Sequence, residues 1–137
     1  MTRNYNKPLP IIDKISERFW QGCKKHELVI ERCLNCGTYI YYPRLVCIKC
    51  ISKNLEWVKV SGKGKLYSFS IVYRPPSEVF KEDVPYVVGL IELDEGVRLM
   101  SNIVNSKLED IKIGMPVEVV FDDVTEEITL PKFRPID

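Results

Sequence analysis

Histidine is almost missing from this 137-residue chain: His26 stands alone. A solitary imidazole with no nucleophile beside it is far more often structural than catalytic. The chain also lacks a nucleophile elbow, a phosphate-cradling glycine loop and a His–carboxylate constellation, so no catalytic residue is assigned and an independent enzyme is not expected. Paired acids occur at Glu82-Asp83, Asp94-Glu95, Asp122-Asp123 and Glu126-Glu127. Each pair reads as a solvated loop or strand edge. Long apolar runs are missing too, and nothing approaches the roughly 18 residues of a membrane span. Met1 to Asp13 is polar and proline-bearing, without the apolar segment of a secretion signal. A cytoplasmic protein with no membrane partner is the expectation, and disulfides are disfavoured accordingly.

A strong overall charge is likewise absent, the formal net value being +1. Its distribution is uneven. Residues 1–32 carry seven Lys/Arg against four Asp/Glu, residues 33–65 six against one, and residues 66–137 seven against fourteen. The first two blocks therefore hold +8 and the last −7, a basic first half and an acidic second.

What the chain does have is cysteine in register. Cys33-x2-Cys36-Gly37 and Cys47-x2-Cys50 form two pairs separated by ten residues. Each turn presents two sulfurs to one point, and two turns complete a tetrahedral shell suited to structural Zn²⁺. Gly37 stands where such a knuckle needs a positive φ or close backbone approach. Four protein ligands leave no position for a water, so the metal would hold shape and not hydrolyse anything. Iron in the same ligand set would instead make an electron carrier, and the spacing alone does not separate the two. Cys23, the fifth cysteine, has no pair and reads as a small packed thiol.

The rest of the chain falls into three parts: an arm and helix over residues 1–27, a ribbon over 28–54 and a β domain over 55–137. Ile12, Ile15 and Phe19 share a helical face, predicting a helix over 11–21 with Gly22 as its stop. Strands are expected over 28–32 and 39–42 around the first knuckle. A ribbon this small has almost no core, so the metal supplies much of its folding energy. Beyond residue 54 come short alternating segments over 55–60, 65–74, 86–93, 97–104, 117–121 and 124–130. Asp94-Glu95-Gly96 marks a hairpin, and the prolines of the tail argue against a central strand there. The fold expected is mainly β: an N-terminal helix, a rubredoxin-like zinc ribbon and a five-stranded OB-fold barrel.

The order Phe19-Trp20, Cys33-x2-Cys36-Gly37, Tyr42-Pro43-Arg44, Cys47-x2-Cys50, Gly62-Lys63-Gly64 and Tyr67-Ser68-Phe69 resembles a family pairing a rubredoxin-like zinc ribbon with an OB-fold. Family members were long grouped as a domain of unknown function associated with acyl-CoA metabolism. The likeness continues through Pro85-Tyr86, Gly89 to Leu93, Ile113 to Val117 and Phe133-Arg134-Pro135. It implies a noncatalytic acyl-CoA-binding or scaffold protein that accompanies a thiolase or ketoacyl-CoA synthase-type enzyme in lipid or isoprenoid metabolism. In archaeal mevalonate synthesis a similar protein bridges acetoacetyl-CoA thiolase and hydroxymethylglutaryl-CoA synthase. On that reading Arg44, Lys49, Lys63 and Lys65 meet the CoA phosphates, while Phe19 and Trp20 cover its apolar end or a partner. The alternative is a single-stranded nucleic-acid-binding protein, with Tyr67, Phe69 and Tyr73 as a stacking platform. A −7 barrel half argues against a nucleic-acid partner.

Overall fold

Alternation sets the second half of the chain, and the computed structural model, which describes residues 7–136, closes that half into a barrel. Strands β4 (Lys63–Val72), β5 (Tyr86–Leu93), β6 (Arg98–Ile103), β7 (Pro116–Asp123) and β8 (Thr129–Pro135) follow the circular order β4-β5-β6-β8-β7. This is the five-stranded barrel the pattern predicts. β5 alternates buried and half-buried residues along its whole length, as a strand with one face on a core must. The β5–β6 hairpin turns at Gly96, whose N–H donates to the Leu93 carbonyl at 2.8 Å. Among the described residues no helix is long and apolar enough to cross a membrane.

The last strand differs from the prediction. It runs through Pro131 and Pro135, whose presence argues against a central strand there. The register explains why they fit: Pro131, Phe133 and Pro135 face Phe121, Val119 and Val117 across β7. The Val119 N–H points away from β8, donating to Gly62 at 2.8 Å. These are therefore non-hydrogen-bonded pairs, and prolines at such positions remove no bond from the β7 ladder.

The first half makes a separate sheet, ordered β2-β1-β3, from β1 (Val29–Cys33), β2 (Tyr39–Ile40) and β3 (Leu55–Lys59). β3 runs antiparallel to β1 over five residue pairs and so lies in the ribbon sheet, outside the barrel. Helix α1 spans Glu17–Lys24, starting and ending later than the periodicity suggests. The cause is local: the Asp13 carboxylate accepts from the Ser16 N–H (2.8 Å) and hydroxyl (2.7 Å), fixing a turn where a helix would otherwise begin. Ile11, Ile12 and Ile15 are consequently left exposed. Gly22 lies within the helix; a Cβ there would meet Val29 Cγ2 at 2.7 Å, so its role is close approach of α1 to β1.

One core joins all three parts. Phe19 and Cys23 from the helix and Leu28 and Ile30 from the ribbon pack with Leu66, Ile91, Val117 and Phe133 from the barrel. At the knuckle end Cys33, Ile40 and Cys47 form a separate buried cluster, with Leu55 beside them.

Candidate metal centre and surrounding surfaces

Two matching turns build the cysteine site. In the first, the Gly37 N–H donates to the Cys33 carbonyl at 2.9 Å and the Cys33 N–H to Thr38 at 2.9 Å. In the second, Ile51 donates to Cys47 at 3.0 Å and Cys47 to Ser52 at 2.9 Å. The backbone repeats, down to the left-handed residue after each second cysteine: Gly37 at φ 77 and Ile51 at φ 64. Glycine adopts that conformation freely, whereas an L side chain there costs on the order of 1 kcal/mol.

The repeat brings the Cys33, Cys36, Cys47 and Cys50 sulfurs within 4.8 Å of one another. Cys33 Sγ lies 3.5 Å from Cys50 Sγ, and Cys36 Sγ 3.6 Å from Cys47 Sγ. A tetrahedral ion with metal–sulfur bonds of about 2.3 Å puts its sulfurs about 3.8 Å apart, so spacing and donor chemistry both fit a four-thiolate metal site. Cys33 and Cys47 are buried, Cys36 and Cys50 exposed. The Thr38 hydroxyl and N–H hold the Cys36 thiol down at about 6. The Cys36 N–H lowers Cys33 in turn. Cys50 is pushed up to about 12: although the Ser52 N–H favours its thiolate, its hydrogen bond with Cys33 and the other nearby sulfurs keep the proton on it. Crowded thiolates repel, and a cation at their centre removes that repulsion. Cys23, outside this group, is fully buried, and desolvation pushes it up to about 12, the inert packed thiol expected of it.

The residues assigned to a ligand or partner surface are dispersed. Phe19 is 1% exposed and edge-packed on Trp20 and Tyr41, so it is an anchor of the core and presents nothing to solvent. Trp20 is half-buried, and its indole N–H has no partner among the described residues. Arg44 and Lys49 are exposed on the second knuckle, the Arg44 N–H bonding the Glu31 carboxylate and the Lys49 N–H lying 3.4 Å from Cys47 Sγ. Lys63 and Lys65 project from β4 on the barrel, in register with Glu118 and Pro116.

The aromatic platform does not form. A register shift between Leu66 and Ser68 leaves Tyr67 outside the alternation, where Arg98 covers its ring at 3.8 Å. Phe69 packs against the core, and Tyr73 lies beyond the end of β4.

Two features escape sequence reasoning. His26 stacks on Phe121 with 5.2 Å between centroids, and its Nε2 lies 3.0 Å from Asp123 Oδ1. The Thr129 hydroxyl donates to that same oxygen at 2.6 Å. A His–carboxylate pair thus exists after all, built from positions 97 residues apart that no local motif could link. The hydroxyl beside it is itself bound to the acid, and the pair ties the chain just past α1 to the barrel. The Thr129 hydroxyl first, then His26, hold the Asp123 carboxyl below its usual range. The other feature is the set of exposed apolar residues interleaved with the cysteines: Leu34, Leu45, Ile48 and Ile51. Their placement beside the cysteines was visible in the sequence, but their outward orientation was not.

Known proteins share this architecture. The family described as "ChsH2, rubredoxin-like zinc ribbon domain" matches residues 20–56, and "ChsH2, C-terminal OB-fold domain" matches residues 57–122. A Methanocaldococcus jannaschii protein named "DUF35 domain-containing scaffold protein" is 43% identical over 91% of this chain and 94% of its own length. A chain of the solved "Ltp2-ChsH2(DUF35) aldolase" superposes with TM-score 0.83 at 38% identity, covering 93% of this chain and 98% of that one. The "Benzoylsuccinyl-CoA thiolase subunit BbsA" of Geobacter metallireducens is 31% identical over 53% of this chain and 47% of its own length. With both halves matched and its full-length relative so similar, this chain belongs to the DUF35 family, whose ChsH2-type members join a rubredoxin-like zinc ribbon to an OB-fold.

Proposed function

We propose that this protein is a noncatalytic scaffold for a thiolase or related ketoacyl-CoA enzyme, with a structural zinc ion on Cys33, Cys36, Cys47 and Cys50. The observation that carries the reading is the match to a named scaffold protein across nearly the whole length of both chains. Its supports are chemical. The four-thiolate shell is closed, so a bound ion organises the knuckles and offers no site to substrate. The His26–Asp123 pair has no nucleophile to activate. The thiolase-subunit and aldolase names among the relatives favour enzymes of acyl-CoA carbon–carbon chemistry as the partner class.

Acyl-CoA recognition belongs to the same proposal, with Lys63 and Lys65 supplying cations to the phosphates and Trp20 an apolar edge. The nucleic-acid alternative has less support, since its three rings do not share a face and the barrel half is acidic. Calorimetry with acetyl-CoA and longer acyl-CoAs, together with affinity purification from native cells, tests the reading. Thiolase in the eluate at a fixed stoichiometry supports it; no heat and no thiolase would sink it.

A further inference from the structure

Exposed apolar side chains concentrate at the knuckles. Leu34 is 60% exposed, Leu45 71%, Ile48 61% and Ile51 75%. Leu34 and Ile48 directly follow the first cysteine of each pair, and Ile51 follows the last. Because the four sulfurs lie within 4.8 Å of one another, these side chains crowd one end of the ribbon. None of them packs in either core.

Ile51 sharpens the point. It holds φ 64 at the position where the other knuckle uses glycine. A β-branched side chain in that conformation is strained; the backbone there closes the knuckle turn, but the side chain itself packs in neither core. Strain kept at an exposed apolar position points to use by something outside the chain. Arg44, Lys49 and Lys53 stand among these residues, in a stretch, 33–55, that carries three cations and no acid.

We infer that the knuckle end, centred on Ile48 and Ile51, is the face that docks the partner enzyme, on an apolar depression of that enzyme rimmed by carboxylates. This rests on the scaffold reading above and adds its contact surface. Apolar anchors supply the affinity, and the cationic rim complements an acidic counterpart and speeds encounter. A protein fits better than a lipid surface, because interfacial binding favours exposed tryptophan and both tryptophans, Trp20 and Trp57, are packed against the core.

The test uses the full-length metal-loaded chain and purified acetoacetyl-CoA thiolase from the same organism, with binding followed by interferometry. Ile48→Ser combined with Ile51→Gly should weaken binding at least tenfold with metal content unchanged, and Ile51→Gly alone should raise the thermal midpoint while weakening binding. Lys49→Glu should slow association and flatten its salt dependence. Should the double variant lose metal, the exposed Lys49→Glu change decides by the same criterion. Wild-type binding undiminished in the variants overturns the docking face and leaves the scaffold reading standing, whereas a wild type that binds no thiolase overturns both. Loss of binding to phosphatidylglycerol vesicles instead of thiolase would reassign the face to a membrane.

Discussion

The ribbon and the barrel are held together by different physics. The barrel closes its hydrogen-bond ladders on themselves and fills the interior with side chains such as Leu66, Ile91, Val117 and Phe133, none of them measurably exposed. The apolar cluster of the knuckle end has three buried members, and two of those are cysteines of the candidate metal site. Apolar burial stabilises in proportion to area, so the barrel can stand on its packing while the knuckles, on the proposed metal reading, depend on coordination. A fold of 137 residues thus places a thinly packed tip, with the candidate metal site as its fastener, on a hydrophobically fastened base.

Breaking the tip gives the largest effect. Chelation, or Cys47→Ser at the buried ligand, should release the metal and unfold the knuckles, since structural zinc sites contribute on the order of 10 kcal/mol of apparent binding energy. Hydrogen exchange should show amides of residues 33–55 losing protection while β4 to β8 keep theirs. Loss of protection across both regions together would erase the contrast. Breaking the base is next: Phe133→Ala should cost about 3–5 kcal/mol in thermal or denaturant unfolding, with metal content unchanged below the transition. Metal loss in the folded variant would mean that the barrel, too, sets the cysteine geometry.

The smallest effect lies at the junction. Asp123 has its carboxyl lowered by Thr129 and His26, so its contribution is present above the ordinary carboxylate range near 3.9 and is lost as pH falls through the depressed value. Thermal midpoints measured from pH 7 to pH 3 should fall slightly less in Asp123→Asn than in the wild type, which starts higher. Identical slopes would mean that the pair contributes nothing to holding helix and barrel together.

How legible each region was follows from the same contrast. The cysteines announced their site because coordination demands particular residues at a particular spacing, and Gly37 announced its positive φ for the same reason. The barrel strands were legible by alternation, except where one local feature defeats the period. Alternation cannot reveal the shift at Tyr67, and proline statistics cannot foresee that Pro131 and Pro135 occupy the non-bonded phase of β8. The helix start failed because Asp13 and Ser16 capture the backbone with side-chain hydrogen bonds, which an apolar period does not see. His26 and Asp123 meet only through the tertiary fold. Ile51 was the least legible of all, since nothing in its identity signals a left-handed backbone; only the repeat of the first knuckle explains it.

Phe19 gives the molecule one more property. Because this ring sits in a core shared by α1, the ribbon strand β1 and the barrel, the strand that leads into the first knuckle is packed directly on the barrel. A body gripped at the knuckles therefore carries its barrel at a set bearing. In the proposed scaffold role, such packing would lower the entropy lost when a third component joins, because orientation is already fixed before it arrives.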